Sequence, residues 1–183
     1  MSQTTKAGRF SGYQAGPATG ASVREQDGRW TLVFVRELPH PPSKVWTALT
    51  DPASLREWAP FDPDRNLAFP GPVQLTMAGP QPEQFASVVR RSEMPTLLEY
   101  TWGGDVLRWQ LEEIATGTRL TLHHTLEEGS SLSKVTAGWH ICVDILERAL
   151  AGRPVGRVVA DDARLAGWER LNAEYALQFG VEP

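Results

Sequence analysis

Cysteine is almost missing from this chain: of 183 residues, one is a cysteine, Cys142. A single thiol closes no internal disulfide and builds no cysteine-rich metal site, so a reducing compartment is the expected setting. Basic residues are outnumbered, 18 Lys and Arg against 22 Asp and Glu. The formal net charge is −4 at pH 7, which argues against nucleic acid and anionic membrane as partners, because both are gripped by clustered lysine and arginine. No apolar run is long enough to span a bilayer, and the opening MSQTTKAGRFSGYQAG lacks the apolar core of a secretory signal, so a cytoplasmic location is expected. HExxH, G-x-S-x-G, the P-loop and G-x-G-x-x-G are all missing, which leaves no motif for a metal or other cofactor, and none is expected. His123 and His124 are neighbours on an expected strand and so face opposite sides, which prevents joint chelation, and His40 sits in a proline-rich bend.

What is present is enough apolar content, 41% hydrophobic residues over 183 positions, for one domain with a real core. Residues 1–20 are rich in Gly, Ser, Thr and Ala without apolar periodicity and are expected to form a disordered tail; residues 21–183 are expected to form the single domain. Asp27-Gly28 between the extended runs at 21–26 and 29–38 is a hairpin signal. The run VWTALTDPASLREW, Val45 to Trp58, then spaces Trp46, Leu49, Leu55 and Trp58 as two short helices, with Asp51 as a cap and Pro52 at the first position of the second. The proline- and glycine-rich stretch 60–82 predicts loops over an opening, with one strand at 73–78.

Four extended segments follow, at 83–92, 97–102, 106–114 and 118–126, joined closely enough to form an antiparallel meander. Leu107, Trp109 and Leu111, with Leu120, Leu122 and His124, take the apolar face. A helix is predicted from 133 to 151, stopped by Gly152 and Pro154. Its main stripe is Val135, Trp139, Val143, Leu146 and Leu150, with Ile141 and Ile145 well off it. A last helix at 161–178 offers the seam Leu165, Trp168, Leu171, Tyr175 and Phe179 to cover that second side, and a homodimer contact is the other way to cover it.

This order of elements, together with VWTALTDPASLREW, LLEYTW at 97–102, TRLTLHHTL at 118–126, GWHICVDILERALAG at 138–152 and LNAEYALQFG at 171–180, resembles the bacterial branch of the family named for the activator of the heat-shock-protein-90 ATPase, within the SRPBCC superfamily. The resemblance implies an α+β helix-grip, START-like fold: a curved antiparallel sheet around a long C-terminal helix, with two short helices after the first long strand. It also implies a largely apolar cavity between sheet and long helix that often holds a small hydrophobic molecule. It assigns no substrate, because one fold hosts many functions.

Turned toward that space, Tyr100, Trp102, Trp109, Leu122 and His124 from the sheet and Trp139 and Val143 from the helix are the candidate ligand-binding residues, with His140 added from the GWH trio. Plain core packing is the rival reading for each ring. His124 is either a polar contact for the ligand or a buried histidine bonded to a neighbour, and His140 either lines the pocket or pairs with Asp144 at the solvated edge. Trp46 and Trp58 are read as structural, Asp51 as a cap, and Cys142 as an inert buried thiol. Glu99 and Glu113 have the parity of the outer face, as do Arg36 and Arg91. No catalytic residue stands out. The expected function is binding of a small hydrophobic or aromatic molecule. The alternatives are a cofactor-free enzyme of polyketide-cyclase or hydrolase type acting through His124, and a co-chaperone-like module with a heat-shock-protein-90 partner.

Overall fold

The first strands, β1 (Ala21–Gln26) and β2 (Arg29–Leu38), fold back on each other across Asp27 and Gly28, whose φ of 53° and 76° are the left-handed pair that a two-residue hairpin needs. The computed structural model describes residues 12–183. Helix α1 (Pro42–Thr50) begins on a proline, whose missing N–H needs no partner there, and helix α2 (Pro52–Leu55) begins on Pro52. Asp51 caps α2 by accepting the Ser54 N–H at 2.9 Å. Trp58 then donates its indole N–H to the Ala48 carbonyl at 2.9 Å, which ties the end of the helix pair back onto α1.

Strands β3 (Phe61–Pro63), β4 (Gly71–Met77), β5 (Gln84–Glu93), β6 (Leu97–Trp102), β7 (Asp105–Ile114) and β8 (Gly117–Leu126) complete an eight-stranded antiparallel sheet in the order β1-β2-β8-β7-β6-β5-β4-β3. The short β3 is an addition to the loop expected there. Three residues are too few to show a period, and Phe61 is buried only through contacts made elsewhere in the sheet. Gly117, at φ 141°, closes the β7–β8 turn where a Cβ would run into the Leu38 carbonyl and the His40 N–H.

Helix α3 (Leu132–Leu150) lies across the sheet and ends at Gly152 in the left-handed conformation, with the Arg153 N–H closing on the Arg148 carbonyl at 2.9 Å. The single last helix expected at 161–178 is two: α4 (Asp161–Leu165) and α5 (Trp168–Phe179), broken at Gly167 with φ 102°. The break takes Leu165 off the seam and leaves it 62% exposed, while Leu171 and Tyr175 are fully buried. Helix α3 packs against α5, β2 and α1, and Ile141 and Ile145 are buried within this one chain, so the second apolar side needs no partner subunit.

The tail expected over 1–20 lies outside the described residues for 1–11. For 12–20 the structure differs. Tyr13 is 4% exposed, the Ala15 N–H reaches the Ala166 carbonyl at 2.9 Å, and the Ala18 N–H reaches Glu174 Oε2 at 2.7 Å. This segment has no periodicity of its own because its partners lie on α3, α4 and α5, far along the chain.

Candidate functional site

Alternation along β6, β7 and β8 turns Tyr100, Trp109, Leu122 and His124 toward α3, where Trp139 meets them. The rings touch edge to face. Trp139 lies 5.5 Å from Trp109, 6.1 Å from Trp102 and 6.3 Å from His124 between centroids. Phe61 adds contacts to Trp102 at 5.1 Å and Tyr100 at 6.1 Å, and Trp58 stands at 88° to Trp109 at 5.9 Å. Contacts of this kind are a packed aromatic nucleus. Seven of the eight expected site residues therefore belong to one region, with Leu122 and Val143 buried beside the rings, but there the rings occupy the space where a hollow was expected.

The polar tips of the nucleus are satisfied internally. Trp109 Nε1 donates to the Tyr100 hydroxyl at 3.2 Å. Trp139 Nε1 donates to His124 Nδ1 at 3.0 Å, and His124 Nε2 lies 2.7 Å from Asp105 Oδ2. An indole nitrogen only donates, so Nδ1 is the acceptor and the Nε2 proton goes to Asp105. Asp105 Oδ1 in turn accepts the Glu127 N–H at 2.8 Å. Burial pushes the Asp105 carboxyl upward, but the His124 and Glu127 hydrogen bonds outweigh it and hold the group below the usual carboxylate range. Burial also raises the Tyr100 hydroxyl. Both nitrogens of His124 are engaged, and it matches the buried, neighbour-bonded reading.

His140 does not join this group. It is 2% exposed, packs edge-on to Phe34 at 5.8 Å and lies with Nδ1 2.7 Å from the Tyr175 hydroxyl. The solvated His140–Asp144 pair expected at the helix edge is corrected, because α5 and residues 12–20 cover that edge. Asp144 lies 3.6 Å from His140 Nε2, accepts the Tyr13 hydroxyl at 2.6 Å and pairs with Arg36 at 2.8 Å. Burial pushes Asp144 up, and the facing His140 imidazole, the Tyr13 hydrogen bond and the Arg36 charge together hold it low. Burial pushes the Cys142 thiol up to about 12, as an inert thiol requires. Glu99 faces outward onto Arg108 and Arg91 onto Glu93, but Arg36, expected on the outer face, shares the parity of Leu32 and Phe34 and turns inward to Asp144 and Glu147 on α3.

An apolar opening lies beside the nucleus. A cleft of about 360 Å³ runs between α1, α2 and α3, walled by Ala48, Trp58, Leu146, Ala149 and Leu150. Lys44 and Glu57 stand at its rim, and Lys44 Nζ is pinned there by donating to the Leu150 carbonyl at 2.7 Å. Its rear wall, Trp58, is the ring that meets Trp109, so cleft and nucleus are continuous through one indole. Sequence reasoning read Trp58 as structural only. No local signal marked the cleft, because Ala48 and the half-buried Ala149 are not distinguished by size from other inward residues such as Thr50, Ala137 and Cys142.

A sequence model of the Activator of Hsp90 ATPase homolog 1-like protein family matches residues 39–151. Among solved structures, a conserved protein of unknown function from Enterococcus faecalis superposes with a TM-score of 0.67 at 17% identity, over 86% of this chain and 89% of that one. CalU16 from Micromonospora echinospora gives 0.61 at 23% identity, over 86% and 94%. The AHSA1-like protein from Aeromonas hydrophila gives 0.58 at 20% identity, over 67% and 92%. At these identities the likeness shows the shared helix-grip fold. No curated protein matches the chain significantly.

Proposed function

This chain belongs to the Activator of Hsp90 ATPase homolog 1-like protein family, and from that premise we propose that it holds a small hydrophobic or aromatic molecule in the cleft between the short helices and α3. The observation that carries this reading is the cleft itself. Its size lies in the lower part of the range of about 300–1,000 Å³ typical of small-molecule sites, and its walls are mostly apolar, Ala48, Leu146, Ala149 and Leu150 beside Trp58, with Thr47 and Ser54 as polar additions. Trp109 meets that indole edge to face and is itself held by Trp139 and the Tyr100 hydroxyl, so residues first expected to touch a ligand act here as the rigid backing of the wall. Rigid aromatic backing lowers the ordering cost of binding. An acid–base role for His124 has less support, since Trp139 and Asp105 occupy both ring nitrogens.

Titration with an uncharged fluorescent probe such as N-phenyl-1-naphthylamine tests the reading, with native mass spectrometry of protein from its own host as a second measurement. Saturable one-to-one binding is expected, with loss of binding in Ala149→Phe, whose ring fills the cleft. Equal binding by parent and variant refutes the site.

A further inference from the structure

The sheet face turned away from α3 carries a charged groove that the apolar cleft does not use. Strand register sets Glu99, Arg108 and His123 in one cross-strand row, with Arg24 beside Thr31 in the next. Arg90 sits at the β5–β6 bulge and lines the same groove, about 840 Å³ in volume. On a chain of net charge −4, three arginines converging on one face is a specific arrangement.

Two of these arginines are held in place. Arg108 Nε and Nη2 both lie 2.8 Å from Oε2 of the largely buried Glu99, which fixes the guanidinium plane at the groove wall. Arg24 Nη2 lies 3.3 Å from His123 Nδ1, and His123 Nε2 lies 2.7 Å from Gln110 Oε1. An arginine only donates, so the imidazole accepts at Nδ1, carries its proton at Nε2 and is uncharged. The Thr31 and Thr125 hydroxyls, 3.0 Å apart, lie on the same floor. Among the described residues Arg90 has no ion-pair partner, and Glu99 is already taken up by Arg108.

We propose that this groove binds a phosphomonoester dianion, with Arg24 and Arg108 as the principal donors, Arg90 as a third cation and one hydroxyl of the Thr31–Thr125 pair as a neutral donor. Planar guanidinium groups match the paired oxygens of phosphate. A dianion also relieves the repulsion within the cluster. His123 reports on this directly. Burial and the facing charges of Arg24 and Arg108 push it below the ordinary histidine range. Arg90 on β5 adds positive charge, against Glu25 on β1 and Glu99 on β6. An anion seated between Arg24 and Arg108 reverses the local field, draws the Arg24 N–H away from Nδ1 and favours protonation there. This site is independent of the apolar cleft.

The test follows the His123 ring resonances of the full chain by NMR through a pH titration, with inorganic phosphate and phenyl phosphate against chloride at matched ionic strength. The expected result is saturable binding of phosphate and phenyl phosphate that raises the His123 pKa, with affinity reduced about tenfold in Arg24→Gln, the loss of one charge-assisted contact. Arg24 is exposed, so this variant leaves the core untouched and is checked by an unchanged unfolding midpoint. Identical responses to phosphate and chloride, or unchanged affinity in Arg24→Gln, overturn the proposal. Cosedimentation with phosphatidic acid vesicles, and not with phosphatidylcholine vesicles, assigns the phosphate to a lipid headgroup. Binding of phenyl phosphate without cosedimentation assigns it to a soluble metabolite.

Discussion

Replacing Trp139 with phenylalanine isolates one buried hydrogen bond and measures how far the aromatic nucleus depends on it. Trp139 and His124 are 5% and 2% exposed, so the Nδ1 lone pair that loses the indole N–H has no water to turn to. An unsatisfied buried acceptor costs about 1–3 kcal/mol. The smaller ring also gives up part of the edge contacts at 5.5 Å and 6.1 Å to Trp109 and Trp102, about 1 kcal/mol more. The expected loss is about 2–4 kcal/mol, or about 4–15 °C in Tm for a chain of this length. His124→Leu in the Trp139→Phe background removes the stranded acceptor, so the double variant should be less destabilised than the sum of the singles by at least about 1 kcal/mol. Urea unfolding followed by far-ultraviolet circular dichroism, with m unchanged, reads all four proteins on one scale. Additive single effects, or a Trp139→Phe loss below about 0.5 kcal/mol, would refute the relay from Trp139 through His124 to Asp105.

Acid should destabilise the fold through a defined set of carboxylates. Asp62, Asp105 and Asp144 are each pushed up by burial and held below the usual range by stronger hydrogen bonds and cations, Arg157 for Asp62, His124 for Asp105 and His140 for Asp144. The unfolded chain therefore takes up protons first as pH falls. Their stabilisation is complete above the ordinary carboxylate pKa of about 4 and is lost as pH drops through the lower folded values. Urea midpoints should accordingly decline below about pH 4, and a midpoint that rises on acidification refutes the assignment. Tyr13→Phe removes the 2.6 Å hydrogen bond to Asp144 and should loosen residues 12–20 by about 1–2 kcal/mol. Hydrogen exchange at the Ala15 and Ala18 amides should speed up about tenfold while α3 amides stay protected; equal acceleration throughout shows that the segment does not open by itself.

Legibility in the sequence followed the range of the interaction that carried each feature. The β1–β2 hairpin, the capped α2 and the inward side of β7 and β8 were readable, because turn chemistry, capping and strand alternation act over a few residues. The break at Gly167 was not, since a glycine inside an amphipathic pattern is tolerated in a helix as readily as it ends one. The packing of Tyr13 and the burial of His140 were invisible for a different reason. Their partners, Asp144 and Tyr175, lie 131 and 35 residues away in the chain.

The candidate sites divide in the same way. Residue pattern by itself gave the order of strands and long helix and the apolar side of β7 and β8, because periods of 2 and 3.6 are properties of the local backbone, while the helix-grip arrangement came from the family resemblance. Tertiary structure alone decided that those rings pack against one another, that the opening lies where Ala48 and Ala149 face Trp58, and that three arginines meet on the outer sheet. Whether a space is filled or hollow depends on volumes contributed by strands and helices far apart in sequence, and no local period encodes that sum.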